Sequence, residues 1–101
     1  MVNLVTVLES TGMPVGYHHW DKPPALPYIL YYFEDSDNFG ADNKVYLAIN
    51  NYTIELYSGL KDPAKEALIE AALTANDIYF EKLEAWIESE SLYQVSYSVT
   101  I

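Results

Sequence analysis

The 101-residue chain contains no cysteine and no arginine. The first absence excludes disulfides, thiol catalysis and cysteine-ligated metal centres, and it removes one mark of a secreted protein. The second leaves five lysines (Lys22, Lys44, Lys61, Lys65 and Lys82) against fifteen carboxylates, for a formal net charge of −10. Binding phosphates or an anionic membrane needs clustered cations, and these lysines are scattered. Only four glycines occur, and neither a phosphate-cradling loop nor a dinucleotide fingerprint can be found. Serine-nucleophile signatures are missing as well. No apolar run approaches the roughly 20 residues that span a bilayer. A basic segment followed by an apolar stretch is also lacking at the start, so no signal peptide is expected and the cytosol is the expected starting compartment.

What is present is a chain that is half apolar, enough to bury a core and too much for a disordered polyanion. Its length suits one domain, residues 1–101. Ten tyrosines stand out: Tyr17, Tyr28, Tyr31, Tyr32, Tyr46, Tyr52, Tyr57, Tyr79, Tyr93 and Tyr97. Tyrosine favours pleated surfaces and protein interfaces, where the ring is buried and the hydroxyl stays satisfied.

Patterning gives a coarse order of elements. Asn3 to Thr11 reads as a short helix, capped by Asn3, with Leu4, Val7, Leu8 and Thr11 on one face and Gly12 and Pro14 stopping it. Val15 to Trp20 reads as a strand. Pro23, Pro24 and Pro27 enforce an extended connection. Tyr28 to Phe33 is apolar throughout, as in a strand covered on both faces, and Glu34 to Asn43 reads as a polar loop. Lys44 to Tyr57 forms one long strand whose phase switches at Asn50-Asn51, which predicts a β-bulge there. A second helix starts at Asp62-Pro63, with Ala64, Leu68, Ile69, Ala72 and Leu73 as its apolar face and Asn76-Asp77 as its end. Ile78 to Ile87, a turn over Glu88 to Ser91, and an alternating strand from Tyr93 to Ile101 complete the chain. The class is α+β: helix, three strands, helix, two strands, a mainly antiparallel sheet packed by two helices.

No group of residues in the sequence meets the requirements of a chemical site. His18-His19 on a strand would point to opposite faces, and no third ligand stands at metal-binding spacing. Asp35 to Gly40 opens like a calcium loop, but Phe39 and Tyr46 stand where oxygen ligands are needed. Glu81, Glu84, Glu88 and Glu90 match the exposed edge of a hairpin, with no partner for acid–base work. No catalytic residue, cofactor or metal is assigned, and enzymatic activity is not expected.

Several segments are familiar together. They include Gly12-Met13-Pro14-Val15, Leu26-Pro27-Tyr28-Ile29, Asp42-Asn43-Lys44-Val45-Tyr46, Tyr52-Thr53-Ile54-Glu55-Leu56-Tyr57 and Asp62-Pro63. Tyr79-Phe80-Glu81-Lys82 and Glu88-Ser89-Glu90-Ser91-Leu92-Tyr93 follow. As a set they resemble the tail-completion, or tail terminator, proteins of long-tailed phages and Gram-positive prophages. The resemblance implies an α+β subunit in the virion that assembles in the host cytoplasm into a ring, commonly of six copies. Such a ring caps the tail tube at its head-proximal end. Its partners would be other copies of itself, the tail tube protein and the head connector protein, and DNA would pass through without specific binding.

Two sets of residues are singled out on their own chemistry. Tyr28, Tyr31, Tyr32 and Phe33 are the expected subunit interface, because their segment is apolar on both faces of a small domain. Glu34, Asp35, Asp37 and Asp42 are the expected negative collar of a channel, with no cation before Lys44 and a backbone loosened by Asn38 and Gly40. Two other classes compete. An acidic DNA mimic would inhibit a nucleic-acid-binding protein through carboxylates lined along one face. A tyrosine-lined module could bind a small molecule or sugar, or act as an enzyme without familiar motifs.

Overall fold

The computed structural model describes residues 3–41, 43–47 and 49–101. The first helix, α1, spans Leu4–Glu9, and its Asn3 side chain accepts from the backbone N–H of Val5 (3.1 Å) and Thr6 (3.4 Å). Those are two of the donors that a helix start leaves unpaired. The helix ends earlier than its periodicity predicts. Ser10 and Thr11 turn their hydroxyls back onto the carbonyls of Val7 and Leu8, a local bond that competes with the helix. Gly12 then takes a φ of 83°, a conformation that glycine adopts without strain.

The strands are β1 Val15–Tyr17, β2 Tyr28–Ser36, β3 Phe39–Ala41, β4 Lys44–Leu47 and β5 Asn50–Ser58. After them come helix α2 Pro63–Ala75, strand β6 Phe80–Ile87, a 3-10 turn over Glu88–Glu90 and strand β7 Leu92–Thr100. Five strands form one sheet in the order β1-β2-β5-β7-β6. β1 runs parallel to β2, and every other pairing in it is antiparallel. The α+β class and the expected sequence of helices and strands hold, with an added short strand and the long third strand cut in two.

Four local expectations are corrected. β1 stops at Tyr17 and not at Trp20, because His18 enters the left-handed region at φ 67°, which no regular strand tolerates. The polar loop of residues 34–43 is not a loose loop: Glu34 to Ser36 continue β2, and Phe39–Ala41 pair with Lys44–Leu47 as a separate two-stranded hairpin. Asp42 lies outside the described residues. The bulge exists, but on the partner strand. Phe33 pairs with Tyr52 and Asp35 with Asn51, so the extra residue is Glu34, and two β2 residues oppose one step of β5. In α2, finally, Leu68 is 42 % exposed, whereas Glu66, Ile69 and Leu73 are buried.

The core lies on one face of the sheet. Ile29 of β2, Ile54 and Leu56 of β5, and Val95, Tyr97 and Val99 of β7 meet Leu4, Val7 and Leu8 of α1 and Ile69 and Leu73 of α2, with Met13 and Ile78 closing the gaps. The cross-strand register stacks them directly: Ile29 opposite Leu56, Leu56 opposite Val95, Ile54 opposite Tyr97. Each such side chain stabilises the fold by roughly 1.5–3 kcal/mol relative to exposure. Asp62 caps α2 by accepting from the N–H of Lys65, with Pro63 in the first turn where a missing N–H costs nothing.

Candidate interaction surfaces

Alternation along β2 divides the aromatic run that composition had grouped together. Residues of one parity, Ile29 and Tyr31, face the helices; Tyr28, Leu30 and Tyr32 face the other way. Tyr28 and Tyr32 therefore share the outer sheet face with Thr53, Glu55 and Tyr57 of β5 and Gln94 of β7. Tyr31 packs against the core, edge-on to Tyr17 at 5.0 Å. Phe33 is 45 % exposed and edge-on to Tyr52 at 5.7 Å. The four expected interface residues do not form one patch. Tyr28, Tyr31, Tyr32 and Phe33 each already have an aromatic partner within the chain.

The outer face is furnished from the β1–β2 connection. Trp20 folds back over Gly16 so closely that a Cβ there would stand 2.9 Å from its ring. Its ring meets Tyr28 edge-on at 5.7 Å, and Tyr28 lies 5.4 Å from Tyr57. His18 meets Tyr32 at 5.4 Å. Among the described residues, the indole N–H of Trp20 is buried without a hydrogen-bond partner. Beside this cluster Gln94 donates to Glu55 and to the Tyr57 hydroxyl, both at 2.8 Å, and Tyr57 donates to Glu55 at 3.1 Å. Burial pushes the Glu55 carboxyl above the usual carboxylate range and the Tyr57 phenol up to about 12. Leu30 is buried beneath these groups, so the strand is covered on both faces at its centre, as its composition implied.

The acidic residues of the expected collar gather at the base of the hairpin. The Asn51 amide donates to Asp35 at 2.7 Å and to Asp37 at 2.8 Å, while its carbonyl accepts from the Thr100 hydroxyl at 2.7 Å. Thr53 donates to Glu34 at 2.8 Å, and Asn38 accepts from the N–H of Ile49 at 3.0 Å. Glu34, Asp35 and Asp37 are exposed and lie close together, each hydrogen-bonded to a side chain of β5. The bulge is what brings Glu34 and Asp35 to the same side.

A further cluster, not anticipated from the sequence, joins α2 to β6. The Glu66 carboxylate is 3 % exposed and is gripped by Lys61 at 2.6 Å and Lys82 at 2.7 Å. Lys82 also binds Glu70 at 2.9 Å, Lys61 binds Glu84, and the buried Tyr97 hydroxyl donates to Glu70 at 2.9 Å. Burial alone would raise the Glu66 carboxyl, but the hydrogen bonds from Lys61 and Lys82 outweigh it and hold the group below the usual range. The same contacts push Lys61 up to about 12. The signal was present in Glu66 and Glu70, one turn apart beside Ile69 and Leu73, but apolar periodicity gives no weight to carboxylates.

β6 itself is the outer strand of the sheet and is exposed from Glu81 through Trp86. Leu83 is 72 % and Trp86 49 % exposed. A shallow hollow lined by Thr74, Asp77, Ile78, Tyr79 and Phe80 adjoins its start. Among the described residues no three histidine or carboxylate side chains converge as metal ligands, and no helix is long and apolar enough to cross a membrane.

No family model matches the chain, and no curated protein does. Among solved structures, a chain from the virion of a native gene transfer agent particle is similar in fold. The TM-score is 0.58 at 14 % identity, covering 93 % of this chain and 81 % of that one.

Proposed function

We propose that this chain is a structural subunit of a phage-type virion, one that completes the tail as a ring, caps the tail tube and joins it to the head. The observation that supports the reading most is the likeness in fold to a gene transfer agent virion chain, which runs over nearly the whole sequence. The sequence resemblance to tail-completion proteins supplies the finer statement, and the ring, its copy number and its position at the head-proximal end rest on that resemblance. The proposed role is structural: the polar clusters described above tie element to element.

The arrangement of the carboxylates favours this reading over a DNA mimic. A mimic needs free carboxylates ranged along one face. Here Glu66, Glu70 and Glu84 are paired with Lys61 and Lys82, Asp35 and Asp37 share Asn51, and Glu55 faces Gln94 and Tyr57. These acids are drawn into local contacts on different sides of the sheet.

Within the ring, the hairpin base with Glu34, Asp35 and Asp37 would rim the bore, its negative potential keeping DNA off the wall. Asp42, outside the described residues, belongs to the same proposal.

The test is removal of the gene from a strain that produces the particle, followed by electron microscopy of the lysate. Filled heads and unattached tails of irregular length are expected, with joined particles restored by the wild-type gene. Joined particles with tails of normal length in the deletion strain would refute the reading. For the rim, exchanging Glu34, Asp37 and Asp42 for lysine should slow DNA ejection at low salt while particles still assemble. Asn51→Ala, which loosens the same hairpin without changing charge, serves as the control.

A further inference from the structure

β6 is unusual for a strand at the edge of a sheet. Natural edges are blunted by being short, by a bulge, by proline or by charged side chains turned across them, because open N–H and C=O groups are a template for another strand. The opposite edge of this sheet follows that rule. β1 has three residues, the uncovered end of β2 carries the bulge at Glu34, and the Tyr17 hydroxyl accepts the N–H of Phe33 at 3.2 Å. β6 is neither short, bulged nor broken by proline, although it carries Glu81, Lys82 and Glu84. It runs eight residues without proline and in unbroken register with β7, from Phe80 opposite Val99 to Ile87 opposite Leu92. Its charged residues Lys82 and Glu84 are drawn sideways onto α2 and Lys61.

The sequence of this strand is also self-complementary. If a second copy of β6 is laid antiparallel with Leu83 opposite Leu83, then Lys82 falls opposite Glu84, Glu81 opposite Ala85, and Phe80 opposite Trp86. Each pair shares a face, since directly opposed residues in an antiparallel ladder project to the same side. Both charged pairs are of opposite sign and no like charges oppose each other. Lys82 and Glu84 retain 37 % and 42 % of their side-chain exposure, so each can still take a partner. The chain of ion pairs Glu70–Lys82–Glu66–Lys61–Glu84 would then continue across the two-fold axis into Lys82 of the other copy. Leu83, 72 % exposed in the single chain, would be covered by its own counterpart.

We infer that β6 is a docking strand for a second copy of this chain, and that the free protein pairs β6 to β6 about a two-fold axis into one continuous ten-stranded sheet. This goes beyond the virion reading and does not depend on it. A two-fold contact closes on itself, so it describes the free subunit, and a ring would have to use another contact or exchange this one.

The chain has no cysteine, which makes the register directly testable on the purified protein. Sedimentation equilibrium should show a monomer–dimer equilibrium for the wild type. Leu83→Lys, which sets two ammonium groups face to face on an exposed position, should weaken dimerisation by about tenfold or more. Ala25→Lys, at an exposed site in the β1–β2 connection at the opposite edge of the sheet, should leave it unchanged, and all three should give the same circular dichroism spectrum. Mixing Glu81→Cys with Ala85→Cys chains should yield a disulfide-linked heterodimer faster than either alone yields a homodimer. A wild type that stays monomeric at millimolar concentration would overturn the inference. So would a Leu83→Lys variant that dimerises as well as the wild type, or cross-linking with no preference for the mixed pair. None of these readouts bears on whether tails are completed.

Discussion

Glu66 is the residue at which the electrostatics of this fold can be tested most directly. It is buried on α2, accepts from Lys61 and Lys82, and holds β6 against the helix. Removing one member of a fully buried ion pair costs about 3–5 kcal/mol, because the other is left charged and unsolvated. That full cost does not apply here. The side chains of Lys61 and Lys82 are 42 % and 37 % exposed and keep Glu84 and Glu70 as partners, so neither is stranded and solvent screens both. Two charge-assisted hydrogen bonds discounted in this way leave about 2 kcal/mol for Glu66→Ala. For a domain of about 100 residues that is a fall in melting temperature of roughly 8–16 °C. Glu66→Gln, which keeps the volume and one acceptor, should cost less.

The pH dependence is the sharper measurement. The folded carboxyl titrates below its unfolded value, so its contribution is complete above the ordinary range, about 4.3, and is lost as pH falls through the folded value. Urea unfolding followed by circular dichroism at steps from pH 6 to pH 3 should show the wild type losing stability more steeply than Glu66→Gln. If the two curves stay parallel over that window, or if Glu66→Ala costs under about 0.5 kcal/mol, the reasoning fails.

Three further outcomes are expected. Glu55 has the opposite sign: its carboxyl is raised by burial, so its contribution to stability falls as pH rises through the carboxylate range. Glu55→Gln at pH 7 should then be as stable as the wild type or more so, by no more than about 1 kcal/mol, and chemical denaturation showing a clear loss would contradict this. Asn51→Ala frees Asp35, Asp37 and Thr100, and hydrogen exchange should speed up selectively in the hairpin amides while those of β7 and α2 stay protected. Gly16→Ala must move the Trp20 ring, which a red shift and altered quenching of tryptophan fluorescence would report, and an unchanged spectrum would argue against that contact.

The parts of the fold legible in the sequence are those where one local pattern decides. Asp62-Pro63 marks a helix start because cap and fixed φ act within four residues, and the alternation from Tyr93 to Thr100 marks a strand with one buried face. What misled was always a partner far away in sequence. Leu68 belongs by type to the buried stripe of α2, yet the helix is turned to bring Glu66 and Glu70 to Lys82, twelve and more residues later. The phase switch near Asn50 correctly implied a bulge, but which of two paired strands carries the extra residue depends on the partner, and here it is β2. The hairpin of Phe39–Ala41 with Lys44–Leu47 was hidden by the Asp, Asn and Gly residues around it, since a tight hairpin and a loose loop share that composition. The tyrosine run is plain in the composition, but only alternation along β2 assigns Tyr31 and Tyr32 to opposite faces.

The distribution of charge adds a constraint on how copies can meet. Lys61 and Lys82 together neutralise much of the carboxylate along the α2–β6 side. Glu55 sits mid-strand on the outer face, and several of the remaining acids lie towards the two ends of the strands. Asp35 and Asp37 stand at the end where β5 meets Thr100 and where β6 begins beside Asp77 and Glu81, whereas Glu88 and Glu90 stand at the other end, in the turn before β7. With principal extents of 50 × 28 × 23 Å, the ends of the molecule are separated by several Debye lengths at physiological salt, about 8 Å each. Repulsion between copies is therefore local: it opposes contact end to end and does little against contact along the strand edges. The side-by-side arrangement needed both for a ring and for β6 pairing is thus the one that the acidity of this chain resists least.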